Sequence, residues 1–416
     1  MKRIIVIGGG IIGLSVAEKL LSEGHDVSII EQKRIAAGAS YGNAAGLAFS
    51  EVMPMASMDM IKQSIRWLFD PTGPFAVIPQ DLPHTAGWLL RFALAARKSV
   101  FDHSLKVQSQ LMQIGKATLD PMLKRSGLCS MVKTTGALYL YDTPCQYDAA
   151  LAGWRLREQQ GIEWTPYPGQ DLMNFQAGIS KKIYGGVFAP HYQAVTDPNE
   201  FCQGIHAYLT QRGVHTIYDK AIAIHPGDDG TKVVLKNTPT QTAHKVVLAA
   251  GPWSGQLSGS LGDKIPLIGE RGYNTTLPKA AMPELDKTFF FGPHGFVISP
   301  LENGVRVGGA SEIARIDREP NYQRSRAMLL KARELVPGLQ STEGEQWMGI
   351  RPTTPDTLPV IGASSGNPQV IYAFGHGHLG LTQATATAKL VQELVDGVAN
   401  TMDISALQAQ RFRYSY

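Results

Sequence analysis

Apolar and polar positions near the N-terminus follow two different periods. Residues Ile4 to Ile7 form a short continuous apolar run, which is typical of a parallel strand buried on both faces. From Ile12 the apolar residues recur at helical spacing until Gly24, and the run from Val27 to Ile30 again predicts a buried strand. The pattern therefore predicts a strand–helix–strand unit at the start of the chain.

The turn between the first strand and the helix has the spacing G-x-G-x-x-G at Gly8, Gly10 and Gly13. In this spacing the first glycine permits a tight turn, the second admits a pyrophosphate, and the third lets the helix pack against the strand. The first helical residues, Ile11 and Ile12, would then point their amides at the phosphates. The unit predicts a dinucleotide site.

The second strand ends at a candidate ribose ligand. Glu31, followed by Gln32, lies about 20 residues after the glycines, where an acidic side chain accepts a ribose hydroxyl. Small residues from 36 to 50 then suit a loop that wraps a further part of the cofactor. The predicted contacts of this loop are Ser40, Asn43, Ala45 and Gly46.

A second glycine-rich turn feeds a helix near the C-terminus, at Gly375, Gly377 and Gly380. Two such turns at opposite ends of the chain fit a long, permanently bound cofactor, so the prediction is FAD. A soluble nicotinamide dehydrogenase is the alternative. The predicted contacts of the second turn are Gly377, His378, Leu379, Gly380 and Thr382.

Two downstream segments predict different kinds of strand. Residues 244–255 read as a buried strand that ends in a turn at Gly251, with Ala250, Gly251 and Trp253 as predicted cofactor contacts. Residues 289–313 instead alternate between apolar and polar positions, and they contain Asn303-Gly304, a strong hairpin signal. This second segment predicts an antiparallel sheet.

Composition narrows the class of protein. A chain of 416 residues with 44% hydrophobic residues is expected to form two lobes. The formal charge of +4 is mild and scattered, so nucleic acid is not implied. Cys129, Cys145 and Cys202 lack metal or disulfide spacing, which indicates reduced thiols and a cytoplasmic protein. No run reaches the roughly 18 apolar residues of a spanning helix.

The segment 53–100 mixes aromatic and basic residues in two helical stretches. An amphipathic basic helix can lie at the inner face of a membrane, which would suit an enzyme that reduces a quinone. The charges of the segment nearly balance, so helices that face the core are the preferred interpretation. The residues concerned are Trp67, Phe69, Trp88, Leu89, Phe92 and Leu94, with Lys62, Arg66, Arg91, Arg97 and Lys98.

Six segments distributed along the whole chain resemble the D-amino-acid oxidase superfamily of flavoproteins, and most closely the bacterial D-amino-acid dehydrogenases of the small-subunit type. They are VIGGGIIGLSVAEKLLSEGHDVSIIE, SYGNAAG, VVLAAGPWS, NGVRVGGASEI, WMGIRPTTPDTLPVIG and GHGHLGLT. The resemblance implies an α/β plus α+β fold. It contains a discontinuous Rossmann-like FAD-binding domain and a substrate domain built on a mostly antiparallel sheet.

The resemblance also implies how the two domains share the chain. The FAD-binding domain is expected to comprise residues 1–50, 143–165, 195–258 and 342–416. The substrate-binding domain is expected to comprise residues 51–142, 166–194 and 259–341.

The resemblance implies oxidation of an amino or imino acid by hydride transfer from the α-carbon to flavin N5, which demands positioning rather than a strong base. Arg351, in the G-x-R-P position of the superfamily, is expected to bind the substrate carboxylate through its guanidinium, next to FAD. His378, Tyr273 and His294 are further candidates for the active site. No metal is expected, because His376 and His378 have no further ligands at suitable spacing.

Arg306 stands where some oxidases of the superfamily have an oxygen-activating lysine. This departure favours a dehydrogenase that passes electrons to a quinone or another carrier. The expected substrate is a D-amino acid or a cyclic imino acid such as D-proline or hydroxylated D-proline. The alternatives are a glycine- or sarcosine-type amine oxidase that uses dioxygen, and a flavin subunit of a hetero-oligomeric dehydrogenase. The sequence does not define an oligomeric state.

Overall fold

The computed structural model describes residues 1–68, 73–227, 229–282, 285–341 and 343–413. The strands in these ranges are β1 (Arg3–Ile7), β2 (Asp26–Glu31), β3 (Gly46–Leu47), β4 (Phe75–Val77), β5 (Val132–Thr134), β6 (Ala137–Tyr141), β7 (Thr165–Pro168), β8 (Gly185–Ala189), β9 (Gln193–Val195), β10 (His215–Tyr218), β11 (Ala221–Gly227), β12 (Gly230–Leu235), β13 (Gln241–Ala243), β14 (Lys245–Leu248), β15 (Ile268–Pro278), β16 (Thr288–Phe291), β17 (Phe296–Leu301), β18 (Gly304–Ile313), β19 (Glu345–Thr353), β20 (Val360–Ala363) and β21 (Val370–Phe374). The helices are α1 (Ile11–Ser22), α2 (Met58–Leu68), α3 (Leu82–Ala95), α4 (Lys98–Ser126), α5 (Pro144–Gln159), α6 (Gln170–Phe175), α7 (Pro198–Gln211), α8 (Ser254–Ser260), α9 (Gln323–Leu335) and α10 (Gly380–Asp396).

The first sheet has the order β10-β2-β1-β14-β21-β20, and its strands are parallel except for β20. Its central strands are buried on both faces. Ile4 and Val6 of β1 face a core shared with α1, α4, α7 and α10, whereas Ile5 and Ile7 face a core shared with the small sheet β11-β12-β13. The predicted strand–helix–strand unit is therefore confirmed, and so is the Rossmann-like part of the fold.

The second sheet has the order β19-β15-β18-β17-β16-β6-β8-β7, with β4 paired to β18. Most of its pairs are antiparallel, as predicted; β16–β6 and β18–β4 are parallel. The predicted hairpin is also confirmed, because Leu301 pairs with Gly304 and only Glu302 and Asn303 lie between β17 and β18. Helix α9 packs on one face of this sheet.

The proposed domain boundaries stay a prediction, although the packing of α4 and the pairing of β19 differ from the blocks assigned to them. Helix α4 lies in the predicted substrate block, yet its buried side, including Leu111 and Leu119, packs into the core of the first sheet. Strand β19 lies in the predicted FAD block, yet it pairs along its whole length with β15 of the second sheet. Hydrogen bonding and apolar packing, rather than chain order, place both elements.

The segment 53–100 contains α2, α3 and the first residues of α4. Trp88 of α3 is buried, stacks on Phe92 with ring centroids 5.2 Å apart, and donates its indole N–H to the carbonyl of Thr353 at 3.1 Å. This side of α3 therefore faces the protein, as preferred above. Leu90 on the other side is 63% exposed, and membrane contact stays a prediction. Phe69 lies outside the described residues. Within the described ranges no helix is both long and apolar enough to cross a bilayer.

A buried aspartate joins β10 to the sheet of β11 and β12. Burial opposes ionisation of Asp219, but five donors from Lys220, Asn237 and Thr238 surround its carboxylate at 2.7–3.0 Å and hold its pKa at about 2. Because the folded pKa lies below the unfolded one, the ionised carboxylate stabilises the fold above about pH 4. That stabilisation is lost as the pH falls toward 2.

We therefore expect Asp219→Asn to lower the thermal unfolding midpoint at pH 7. The difference from the parent protein should shrink as the pH is lowered from 4 toward 2. Asp120→Asn, on the exposed side of α4, is the matched control and should leave the midpoint unchanged. A difference between parent and Asp219→Asn that stays constant with pH would contradict this explanation.

Candidate active site

The glycine-rich turns of both chain ends border one large cavity. Its volume is about 1310 Å³, above the roughly 300–1,000 Å³ of common ligand pockets. Its wall includes the start of α1, the start of α10 and one face of the second sheet. The cavity is therefore large enough for a dinucleotide together with a small substrate.

The N-terminal turn needs glycine at two positions for packing. A Cβ on Gly8 would lie 2.3 Å from the carbonyl oxygen of Ala249, and Gly8 also has a φ of +117°. A Cβ on Gly13 would lie 1.9 Å from the carbonyl oxygen of Gly8. At Gly10, in contrast, the nearest atom would be Ser40 Oγ at 3.2 Å. The space in front of Gly10 is thus open to the cavity.

Two polar side chains at this turn, Ser40 and Glu31, bond its backbone and keep further hydrogen-bonding capacity. Ser40 Oγ accepts the amide of Ile11 at 2.9 Å, so its own proton is available to an acceptor. Glu31 accepts the amides of Gly9 at 2.8 Å and Lys33 at 2.9 Å. A carboxylate has about four lone-pair sites, so Glu31 can still accept a ribose hydroxyl. Helix α1 has no acidic residue in its first turn, which keeps its positive end available for phosphate.

The C-terminal turn reaches the cavity through left-handed glycines. Gly375 and Gly377 have φ values of +87° and +52°, and α10 begins at Gly380. Thr382 Oγ1 accepts the amide of Ala48 at 3.0 Å, which ties α10 to the loop of residues 36–50. His376 is buried against Thr387 at 2.8 Å, and burial lowers its pKa to about 3.

Every predicted cofactor contact except Gly13 and Ala45 borders the cavity. Gly13 serves the packing of α1 on β1. Ala45 is fully buried, and its amide donates to Asn43 Oδ1 at 2.9 Å, so it shapes the loop rather than its surface. That the remaining residues bind FAD stays a prediction.

One row of side chains crosses the second sheet at the floor of the cavity. The register aligns β19, β15, β18, β17, β16 and β6. The row consists of Trp347, Asn274, Gly308, Val297, Phe290 and Tyr139, and all six border the cavity. Phe290 and Tyr139 stack with ring centroids 4.5 Å apart. The floor is therefore largely apolar and aromatic, as expected of a site that excludes water.

Arg351 lies at one end of this floor, directly opposite Glu270 in the β15–β19 register. Its Nη1 donates to Glu270 Oε1 at 3.0 Å and to Ser311 Oγ at 3.1 Å. Its Nη2 has only a long contact of 3.5 Å with the carbonyl of Gly309, and Nε has no hydrogen bond to any described residue. The Nε–Nη2 edge of the guanidinium is thus available for a planar carboxylate.

Glu270 is the site residue that the sequence did not reveal. It is 3% exposed, and it also contacts His378 Nε2 at 2.8 Å and accepts from Thr353 Oγ1 at 3.1 Å and from Ser311. Burial alone would raise the pKa of Glu270. The neighbouring His378 and Arg351 outweigh burial and hold that pKa well below its usual range. Glu270 is therefore ionised.

The side chains of Tyr273 and His294 form no hydrogen bond with Arg351, although Tyr273 borders the cavity. The Tyr273 hydroxyl donates to Glu312 at 3.0 Å and accepts the amide of Asn321, and the ring packs with α9 on the other face of the sheet. His294 pairs with Asp142 at 2.9 Å and is absent from the cavity wall formed by described residues. The alternation of side chains along a strand could have shown this from the sequence. Glu270 and Gly272 of β15 face the cavity, so Tyr273, which follows Gly272, points to the other face of the sheet.

Arg306 is a buried cation on the cavity wall. It is 7% exposed and donates to Thr276 Oγ1 at 2.9 Å and to the carbonyl of Asn43 at 2.6 Å. Among the described residues no carboxylate forms an ion pair with it. Burial lowers its pKa from the usual value. The positive charge of Arg306 stabilises an anionic group in the cavity, close to the predicted cofactor loop.

Comparison with known proteins identifies the class of this chain. A family model described as FAD dependent oxidoreductase matches residues 3–394, so the chain belongs to the family of FAD-dependent oxidoreductases. A D-amino-acid oxidase from Bradyrhizobium diazoefficiens is 26% identical to it over 99% of both chains. A D-amino acid dehydrogenase from Rhizobium johnstonii is 26% identical over 99% of this chain and all of that protein. The resemblance seen in the sequence is confirmed.

Two solved structures have the same fold. A glycine oxidase from Geobacillus kaustophilus superimposes with a TM-score of 0.78 at 20% identity over 99% of both chains. An L-proline dehydrogenase from P. horikoshii superimposes with a TM-score of 0.72 at 18% identity over 99% of this chain and 97% of that one. FAD is the cofactor of the family, and the open space at Gly10, the Ser40 hydroxyl and Glu31 fit a dinucleotide.

Gly272 allows the guanidinium of Arg351 to lie flat on β15, because a Cβ there would be 2.4 Å from Arg351 Cζ. We expect Gly272→Ala to keep its FAD but to weaken the binding of a non-oxidisable carboxylate about tenfold or more. A tenfold loss corresponds to about 1.4 kcal/mol of binding free energy. Flavin absorbance during a titration measures both properties. Gly259→Ala, where a Cβ meets no atom within 4 Å, is the control. Unchanged affinity in Gly272→Ala would show that Arg351 does not bind the carboxylate.

Proposed function

We propose that the protein dehydrogenates a D-amino acid or a cyclic imino acid, such as D-proline or hydroxylated D-proline, and passes the electrons to a quinone or another carrier. The observation that carries this proposal is the available Nε–Nη2 edge of Arg351 on the wall of the FAD cavity. The names of the relatives, D-amino-acid oxidase and D-amino acid dehydrogenase, support the same substrate class.

The chain's own residues bind and orient the substrate. The guanidinium of Arg351 holds the carboxylate at two points, which fixes both its position and its plane. Glu270 and Ser311 hold Nη1, so the guanidinium does not need to reorganise when substrate arrives. Bound FAD supplies the acceptor for the hydride that leaves the α-carbon.

An apolar surface lies beside Arg351. The indole of Trp88 is fixed by its hydrogen bond to the carbonyl of Thr353, two residues beyond Arg351 on β19. Trp88 and its stacking partner Phe92 both border the cavity. An apolar or ring-shaped side chain would bury its surface there at a gain of roughly 25 cal/mol per Å². This surface supports a hydrophobic amino acid or a proline-type ring as substrate.

The substrate class is tested by anaerobic flavin bleaching with a panel of D- and L-amino acids and prolines. We expect bleaching with D-amino acids or cyclic imino acids. Arg351→Lys should keep the flavin spectrum and raise the half-saturating substrate concentration at least about tenfold, because lysine cannot bind a carboxylate at two points. Arg315→Lys, at an exposed ion pair with Asp317, is the control. Equal half-saturation in parent and Arg351→Lys would refute the assigned role.

The proposed acceptor depends on Arg306. Its guanidinium is fixed by Thr276 and Asn43 and spreads its charge over a plane, unlike the compact charge of a lysine. A compact charge at this place would favour reduction of dioxygen. A carrier could approach along α2 and α3, whose residues Trp67 and Leu89 border the cavity and whose Leu90 is exposed. Contact with a membrane surface through these helices is part of the same proposal.

We expect the reduced parent protein to react faster with a quinone analogue than with dioxygen. Arg306→Lys should increase peroxide formation severalfold, while Arg315→Lys should not. Stopped-flow measurement of flavin reoxidation by the quinone analogue and by dioxygen gives both rates. Fast peroxide formation by the parent protein would instead favour the amine oxidase alternative.

A further inference from the structure

Oxidation of an amino acid requires a proton acceptor in addition to a hydride acceptor. At neutral pH the amino group is an ammonium, and its nitrogen has no lone pair to form the C=N bond as hydride leaves. One proton must therefore leave the nitrogen first. A side chain that accepts it must face the cavity, lie near Arg351 and have an available lone pair.

His378 meets these three conditions. Its side chain is 31% exposed and borders the cavity, and its Nε2 lies 2.8 and 2.9 Å from the two carboxylate oxygens of Glu270. Because Glu270 is an ionised acceptor, Nε2 must carry a hydrogen. In the neutral ring the lone pair is then on Nδ1, which has no hydrogen bond to any described residue.

Glu270 places this imidazole beside the substrate anchor. Its Oε1 contacts both Arg351 Nη1 and His378 Nε2, so the two side chains lie on either side of one carboxylate. Thr353 and Ser311 donate to the same carboxylate and fix its orientation. A substrate held by its carboxylate on Arg351 would therefore occupy the same end of the cavity as the imidazole.

Two other titratable groups near this end of the cavity are unsuited to the task. His376 is buried, bonded to Thr387 and kept neutral. The hydroxyl of Tyr273 lies in the network of Glu312 on the far face of the sheet, and burial raises its pKa to about 12. The charged groups that face His378 are Glu270 from β15 and, through it, Arg351 from β19.

We propose that His378, held by Glu270, accepts the proton of the substrate's ammonium group. This inference rests on the proposed oxidation of an amino or imino acid. The N–H bond breaks, the proton moves to Nδ1, and the electron pair stays on nitrogen, where it forms the C=N bond as the hydride leaves for FAD. The Glu270 carboxylate stabilises the imidazolium, which later loses its proton to water at the exposed edge of the ring.

The test is the pH dependence of anaerobic flavin bleaching with FAD-loaded protein and a substrate from the panel. In the parent protein the rate should rise with pH through one ionisation below that of the substrate amine. In His378→Asn and His378→Gln that ionisation should disappear. We expect about a 100-fold loss at pH 7, within the usual contribution of general base catalysis, and recovery as the pH rises through the ionisation of the substrate amine itself.

Glu270→Gln provides an independent test of the pair. Loss of the negative charge should lower the basicity of the imidazole. The ionisation seen in the pH profile of the bleaching rate should therefore move to lower pH than in the parent protein. The controls are His191→Gln, at an exposed hydrogen bond with Glu163, and Glu302→Gln, at an exposed ion pair with Lys133, which should leave the profile unchanged. Flavin absorbance shows that each variant is folded and loaded.

The outcomes separate this inference from the proposed function. If no amino or imino acid bleaches the parent protein, the proposed function fails and this inference fails with it. If the parent protein bleaches but both His378 variants lose rate by the same factor at every pH, His378 only positions the substrate and the inference is wrong. An unchanged profile in both His378 variants would also overturn it.

Discussion

The site depends on one buried carboxylate that stays charged. A carboxylate with 3% exposure would be protonated in an apolar core, so the ionised form of Glu270 requires the cation of Arg351 and the hydrogen bond from His378 beside it. The requirement is mutual, because Arg351 and His378 derive their orientation from Glu270. Removal of any one of the three would leave an uncompensated charge or a misplaced side chain next to the cavity.

The fold supplies the close approach that this cluster needs. The β15–β19 register sets Glu270 opposite Arg351, and the missing side chain at Gly272 gives the guanidinium room on the strand. The turn before α10, which follows β21 of the first sheet, places His378 in contact with Glu270. The cluster therefore lies where the cofactor-type sheet and the antiparallel sheet share one cavity, and a shift of either sheet would separate its members.

Local features of the fold were readable from the sequence, because they follow from local constraints. Gly8 and Gly13 are demanded by backbone contacts within the first turn, and the Asn303-Gly304 hairpin is set by neighbouring residues. Glu270 could not be recognised in the same way. Its partner Arg351 is 81 residues away, and no motif links the two. A catalytic role for Tyr273 stays a prediction: the residue borders the cavity, but its hydroxyl is bonded to Glu312 and its ring packs with α9 on the opposite face of the sheet.

The central claim is that Arg351 binds a substrate carboxylate through its Nε–Nη2 edge while Nη1 stays on Glu270. A crystal structure of the FAD-loaded protein with a non-oxidisable carboxylate tests it most directly. We expect the ligand's two oxygens on Nε and Nη2, the Nη1–Glu270 contact retained, and the flavin bound by both glycine turns. A ligand bound elsewhere, or Arg351 turned away from the cavity, would contradict the claim.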